Sequence, residues 1–429
     1  MEAFTDPNTI KNITQLENEF KKFLLIEDKH VIKTLIASVI GNRMNVDPIW
    51  LFLVAGPSGG KTEFINSIEG LPFVYPIDTL TTNSFASGQK RAGKETSLLM
   101  KVDGGEGIFT FKDFTTILDM NPIARTEIMG QLRSIYDRKF VKRTGTGEDI
   151  EWNGKIGLIA AVTSIIHERS AEFSSMGERF MQYAITQPDR RAVQRQKLKN
   201  VENMDAKRQH LQDCVTAYVT YVLSQTQDVP INISEKLQEE LYDIADFSTS
   251  ARSSIEKNQR TGLVSFIPDK EMPTRVMTQL MGISKALIAI NKANPDLTLG
   301  PNQDDLIGED MEILIKIALD SIPRKRRQAI QALAKYKLGI TTSGIAMLLN
   351  YPSDTIKITM YELNALGFCS RERDGGIDKW KMSPEWEAIA LKFEEITQVN
   401  EELNADSTNG EFTEVHSEVE EALKQSFQF

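Results

Sequence analysis

Residues Trp50 to Glu63 read Trp-Leu-Phe-Leu-Val-Ala-Gly-Pro-Ser-Gly-Gly-Lys-Thr-Glu, and they restrict the fold more than any other stretch. The five apolar residues Trp50 to Val54 predict a buried strand, and the chain from Lys61 onward predicts a helix. Between them, Gly56, Pro57, Ser58, Gly59, Gly60, Lys61, Thr62 and Glu63 have the pattern of a phosphate loop. Its glycines let backbone N–H groups close around phosphate oxygens, and the following helix aims its positive end at the same anion. Lys61 is expected on the β- and γ-phosphates and the Thr62 hydroxyl on Mg²⁺. Ala55 stands where the strict pattern has Gly, just before the tightest bend. The alternative is a Gly-rich loop that only turns a corner. The Gly-Lys-Thr run between a strand and a helix favours a nucleotide site with ATP and Mg²⁺ as cofactors.

The whole chain sets outer bounds. Its 429 residues are enough for about two to four domains with a sizeable core. No apolar run approaches the ~20 residues of a membrane helix. Met1 to Asp6 carries neither a basic leader nor a signal-type apolar stretch, so a cytoplasmic protein with no membrane partner is expected. Cys214 and Cys369 lie far apart and make no metal or redox motif, which fits a reducing cytosol. The net charge of −10 excludes a uniformly basic nucleic-acid-coating protein but not local basic surfaces.

Two helices are expected from Ile13 to Arg43, with Pro48 leading into the strand. After the loop helix come a short strand near Leu71 to Pro76, a polar run Thr79 to Gly88 and a basic run Gln89 to Lys94. These two runs form either a surface loop or one facing the nucleotide or a central channel. Gly107 to Phe114 is the expected second strand of the site. Asp113 at its end is either the metal carboxylate, which is favoured, or the base that activates water. Lys112 departs from the usual apolar run ending in Asp-Glu, which leaves the base unassigned. A helix over Ala124 to Tyr136 precedes a β-hairpin, Lys139 to Gly154, with Lys139, Lys142 and Arg143 on its stem. Lys155 to Ser164 predicts a buried strand ending in Thr163 and Ser164. These hydroxyls either orient an attacking water or cap a turn. Arg179 precedes a further apolar strand, and Pro273-Thr-Arg275 opens a later helix.

The order of these features resembles AAA+ ATPases, in particular the clade with a β-hairpin before the first sensor strand. That clade includes minichromosome-maintenance helicases, and the flavour here is that of phages and mobile elements. The resemblance covers about residues 15 to 295. It implies an α/β fold, with a P-loop AAA+ core built on a parallel sheet, and an α-helical lid. It further implies Thr163 or Ser164 as first sensor, Arg179 as a finger reaching a neighbour's γ-phosphate, and Arg275 as second sensor touching the phosphates from the lid. The implied assembly is a homo-oligomeric ring, such as a hexamer, with Lys142 and Arg143 facing its channel. The domains on this reading are residues 1–195 for the N-terminal helices and core, 196–300 for the lid, 308–390 for a third domain and 397–429 for a tail.

The early basic cluster Arg190, Arg191, Arg195 and Lys197 reads as a solvated helix face or a DNA contact. After a further helix over Asp310 to Ser321, three helices from about Arg326 end at Gly367, with Ser353 expected to cap the third. A β-hairpin around Asp374-Gly-Gly376 follows, and the whole resembles a winged helix. On a DNA-binding winged helix, Thr355, Lys357 and Thr359 would face the major groove, and Arg371, Arg373 and Lys379 would meet phosphates. Protein contact or ring assembly is the other use. The acidic tail is expected to be disordered and either solubilises the chain or binds a partner.

Two functions follow. One is a ring ATPase, an enzyme whose hydrolysis drives DNA translocation or unwinding in mobile-element replication. The other is a nucleotide-gated assembly switch, defence- or transcription-related, with slow hydrolysis. A small-molecule P-loop kinase ranks third, since Arg179, Arg275 and the hairpin have no role there.

Overall fold

Five consecutive apolar residues are all buried only when a strand has neighbours on both sides and cover on both faces. The structure, a computed structural model, places Trp50–Val54 in that position. It describes residues 4–57, 59–87, 97–143, 149–167, 179–186, 189–200, 203–258, 264–266, 271–298 and 304–392. Ser58, the hairpin tip 144–148, Arg260 and the acidic tail 397–429 therefore lie outside the described residues.

The chain divides into two units. The first is Met1–Leu241 with Thr274–Ile317, and the second is Tyr242–Pro273 with Ala318–Phe429, so the expected lid span 196–300 is shared between them. The first unit opens with α1 (Ile13–Phe23), α2 (Val31–Arg43), β1 (Trp50–Val54), α3 (Lys61–Ile68) and β2 (Val74–Ile77). It continues through β3 (Glu106–Phe111), α4 (Thr115–Leu118), α5 (Pro122–Tyr136), β4 (Lys139–Arg143), β5 (Asp149–Asn153), β6 (Lys155–Val162) and β7 (Met181–Ala184). Then come α6 (Arg190–Asn200), α7 (Met204–Thr226), α8 (Glu235–Arg252), which passes into the second unit at Tyr242, α9 (Thr274–Ala293) and α10 (Asp310–Asp320), whose last residues also belong to the second unit. A five-stranded sheet runs in the order β2-β3-β6-β1-β7 with every pair parallel. The fold is thus α/β on a parallel sheet. No helix among the described residues is long and apolar enough to cross a membrane.

Successive side chains of β1 point to opposite faces. Trp50, Phe52 and Val54 join a cluster with Ile128, Leu132 and Ile135 of α5, and Phe52 stacks on Phe180 with centroids 4.2 Å apart. Each such side chain stabilises by about 1.5–3 kcal/mol on burial. A second layer is built by α2, eleven of whose thirteen residues are buried. A helix apolar nearly all round belongs inside a core. Its Asn42 amide donates to the carbonyls of Ser38 and Ile49 and accepts from Ile49 N–H at 2.9 Å, which fixes the approach to β1. That amide lies against Gly157 of β6, where an added Cβ would come within 2.5 Å of three of its atoms.

The expected hairpin is present as β4 paired antiparallel with β5. In the second unit, β8 (Glu256–Lys257), β9 (Val264–Phe266), α11 (Arg324–Lys335), β10 (Ile340–Thr341), α12 (Thr342–Leu349), α13 (Ser353–Ala365), β11 (Cys369–Asp374) and β12 (Ile377–Met382) follow in order. The last three strands form an antiparallel sheet β10-β12-β11. Ser353 does not cap α13. It is the first helical residue, Pro352 takes the cap position without a side-chain bond, and only the fixed φ of proline pre-sets the turn. Phe368 stacks on Trp386 at 4.9 Å with Phe247 edge-on to both. Arg326 is buried, donating to Glu362 at 2.8 Å and to the carbonyls of Ala251 and Ser253, so one guanidinium closes the end of α8.

Because Asn42 is fully bonded and cannot yield, Gly157→Ala should lower the stability of the first unit by about 1–3 kcal/mol. Denaturant unfolding followed by tryptophan fluorescence measures this, and a neutral effect would show that α2 can move off the sheet.

Candidate functional site

Parallel strands all end at the same edge of the sheet, and β6 lies between β1 and β3. The residues leaving β1, β3 and β6 are therefore neighbours at one edge, although they lie roughly fifty residues apart in sequence. The loop after β1 runs through Gly56, Pro57, Gly59 and Gly60 into α3. Gly60 holds φ +80°, a left-handed conformation that glycine adopts without steric cost. It caps α3 with no side-chain bond, so the first N–H groups of the helix stay available to an anion. Lys61 folds back over the loop, its Nζ donating to the carbonyls of Ala55 at 2.6 Å and Gly56 at 2.7 Å. Burial lowers the pKa of its ammonium, and the Asp113 carboxylate opposes that shift. Thr62 is exposed at the mouth of the loop. Glu63, expected among the loop contacts, turns away. Arg208 of α7 clasps it with two bonds of 2.9 and 2.7 Å.

Asp113 lies two residues past β3, exposed, with its Oδ1 accepting from Thr115 N–H at 2.9 Å. Lys112 beside it pairs with Glu69 at 3.0 Å, so the lysine that broke the expected pattern is neutralised against the end of α3. Thr163, just past β6, faces Thr115 with hydroxyls 3.4 Å apart, while Ser164 is exposed and starts a short 3-10 turn. The sheet order thus brings Lys61, Asp113 and Thr163 to one edge, and Thr62 follows Lys61 on α3 beside the cavity described next. Thr62 and Asp113 offer hard oxygen donors of the kind Mg²⁺ selects.

Against the loop lies a cavity of about 820 Å³, within the range of small-molecule sites. Leu24, Leu25 and Ile26 line it together with Ile185, Thr186 and Val193. The loop glycines form its polar end. Asp28 holds this wall together, accepting from Tyr183 Oη, from Thr186 N–H at 2.8 Å and from His30 N–H at 3.1 Å. The apolar run Phe23 to Ile26 followed by Asp28 was the only sequence signal for this wall. It reads as a helix end unless its partner strand is known.

Two expected arginines lie elsewhere. Arg275 stands one helical turn before Gln279, which bonds Trp50 N–H at the start of β1 and the Arg179 carbonyl before β7. Arg179 and Arg275 interact electrostatically at this edge. Arg275 does not reach the phosphate loop of its own chain, because the length of β1, about 15 Å, separates the two edges. Arg179 is not an extended finger either. Its side chain is 4% exposed and paired to Asp137 at 2.9 Å, and the guanidinium lies over Tyr136.

The basic residues assigned to DNA are mostly engaged. Lys142 donates to Asn83 Oδ1 at 2.8 Å and to the carbonyls of Thr82 and Ala86, tying β4 to that loop rather than to a channel. Arg143 is 87% exposed. In the second unit Thr359 is buried and bonds back to the Thr355 carbonyl, so it cannot face a groove. Thr355 is half-buried and Lys357 exposed. Arg371 grips Asp378 with bonds of 2.9 and 2.7 Å, Arg373 stands 3.9 Å from the same carboxylate, and the Lys379 stem lies over Gly339. Arg252, also in the second unit, pairs with Glu271 at 3.2 Å.

Asp28→Ala should strand the Thr186 N–H and the buried Tyr183 hydroxyl, destabilising by about 2–4 kcal/mol, with Asp28→Asn recovering part of that. Denaturant unfolding of both variants checks it, and equal stability to wild type would mean the wall stands without this carboxylate. Compared with known proteins, the chain matches no family model and no curated protein.

Proposed function

We propose that this chain is a P-loop ATPase of the AAA+ kind that binds ATP and Mg²⁺ at the loop after β1 and works as a homo-oligomeric ring. Its hydrolysis is coupled to DNA translocation or unwinding in mobile-element replication. The observation that carries the reading is the sheet order, which inserts β6 between β1 and β3 and lines up Lys61, Asp113 and Thr163 on one edge. A P-loop chain built on other orders would separate the carboxylate from the sensor hydroxyl.

On this reading the loop N–H groups and Lys61 hold the β- and γ-phosphates, and Thr62 and Asp113 hold Mg²⁺. The metal supplies charge neutralisation at the transferring phosphoryl group. Thr163 positions the attacking water, which is the role that fits a hydroxyl between the loop and the carboxylate. The adenine end fits the apolar wall from Leu24 to Ile26. On the ring reading, Arg179 and Arg275 at the opposite edge act on a neighbour's phosphates, with assembly drawing Arg179 away from Asp137. Helices α7 to α9 supply the lid, and α11 to β12 are a winged helix whose exposed Lys357 and Arg373 suit phosphate contacts.

The second reading, a nucleotide-gated switch with slow turnover, is favoured by one set of observations. Arg179, Lys142 and Arg371, which a motor would use outward, are each bonded inside the chain.

Lys61→Ala should weaken ATP binding by at least about 100-fold, measured by equilibrium titration, because the only cation in the loop is gone. ATPase rates with and without single- and double-stranded DNA separate the two readings. DNA stimulation with strand separation on a fork supports the motor, and slow DNA-independent turnover with ATP-dependent assembly supports the switch. For the arginine, Asp137→Ala is the informative partner of Arg179→Ala. A finger predicts that only Arg179→Ala loses hydrolysis, whereas a purely structural pair predicts that both variants lose stability together and hydrolysis follows it.

A further inference from the structure

Away from the phosphate edge, three ligating side chains converge on one point. His210 and Cys214 lie one turn apart on the same face of α7, and Glu19 meets them from α1. All three are buried. His210 Nε2 is 3.2 Å from Glu19 Oε2 and 3.4 Å from Cys214 Sγ, and the three donor atoms lie within 4.8 Å of one another. The Nε2 N–H makes a straight bond to the carboxylate or to the sulfur, not to both, and the other thiol contact, Cys214 Sγ to His210 Nδ1, is long at 3.9 Å. A tetrahedral ion accounts for both Nε2 contacts. With metal–ligand bonds of about 2.0–2.3 Å, adjacent donors stand about 3.3–3.6 Å apart.

We propose that Glu19, His210 and Cys214 bind one borderline-soft divalent cation of the zinc type. The mixed nitrogen, sulfur and oxygen set suits zinc and not magnesium or calcium. The surroundings orient the ligands as a metal site requires. Glu19 Oε1 is taken by Thr5 Oγ1 at 2.8 Å and Lys22 Nζ at 2.7 Å, which turns Oε2 toward the ring. Phe4 stacks on the imidazole at 4.5 Å and Phe23 meets it edge-on, holding the ring plane. The Cys214 thiol is fully buried, and the ion has to displace its proton. Binding forms the metal–thiolate bond and releases that proton to solvent, and thiolate and carboxylate together balance the cation's charge. A solvent ligand completes the tetrahedron.

The role is a staple. Phe23 at the end of α1 lines the cavity beside the phosphate loop, and α7 holds α3 through Arg208 and Glu63. An ion joining α1 to α7 fixes one wall of that cavity. It takes no part in chemistry there.

The test is cobalt(II) titration of the full-length, chelator-treated chain, read by absorption. The expected result is one Co²⁺ per chain with a thiolate-to-cobalt charge-transfer band and the intense visible bands of tetrahedral coordination. Equimolar Zn²⁺ should bleach both. Cys369→Ser leaves this spectrum unchanged, Cys214→Ser removes the charge-transfer band, and His210→Gln weakens Co²⁺ binding at least about tenfold. Oxygen ligands at the phosphate edge give no such band, so Mg²⁺-site binding is not mistaken for this one. A wild-type chain without the band overturns the proposal, as does a band that survives in folded Cys214→Ser. Should Cys214→Ser not fold, X-ray absorption of zinc-loaded Cys369→Ser protein decides instead. One sulfur ligand supports the site, and nitrogen and oxygen alone overturn it.

Discussion

The burial of β1 between β6 and β7 is the constraint on which the first unit depends. Five apolar side chains in a row demand parallel neighbours and helices on both faces, and α2 and α5 supply that cover. Parallel neighbours in turn end at the same edge. The loop after β1, the carboxylate after β3 and the hydroxyl after β6 thus meet because the core requires it, with no further design at the surface. Gly60 then turns the chain at φ +80°, so that the first N–H groups of α3 face outward over that edge.

Charge pairing decides where the cations go, and the magnitudes differ. The chain carries 60 acidic against 50 basic residues, so most cations find a carboxylate nearby. Exposed pairs such as Arg371–Asp378 contribute little, and an external anion can replace the partner at small cost. Arg179 differs, because its guanidinium is buried at 4% exposure and its pair with Asp137 is held by the packing around Tyr136 and Phe180. Drawing it outward costs several times more than breaking a surface pair. Any role of Arg179 in a neighbour's site thus requires assembly to rearrange that edge. Lys112 is the opposite case, since its partly exposed ammonium pairs with Glu69 near the end of α3 and can be released at small cost.

The wall around the cavity depends on buried polar groups more than on apolar area. Asp28 joins the segment after α1 to the end of β7 through two donors, the Tyr183 hydroxyl and Thr186 N–H. Glu19, His210 and Cys214 join α1 to α7 a short way along the same helix. Both fix the same stretch of chain, Phe23 to Asp28, against elements distant in sequence. That stretch is the apolar side of the cavity, so whatever sets its position also sets the shape available to a ligand.

The sequence by itself determined the elements whose signal is local. The apolar run Trp50–Val54, the glycines before Lys61, the alternation of Lys139 to Asn153 and the helical spacing of Ile128, Leu132 and Ile135 each carry their structure within one stretch. The loop residues and Asp113 were legible for that reason. What only the tertiary structure decided are the pairings across the chain, for which spacing holds no information. Arg179 met Asp137, Arg275 was carried to the far edge by α9, Glu63 turned to Arg208, and Thr359 turned inward on α13. Cys214 formed no motif in sequence because its companions are one helical turn back and about two hundred residues away at Glu19. A cation on a linear chain can pair with any of sixty carboxylates, and packing alone selects which one.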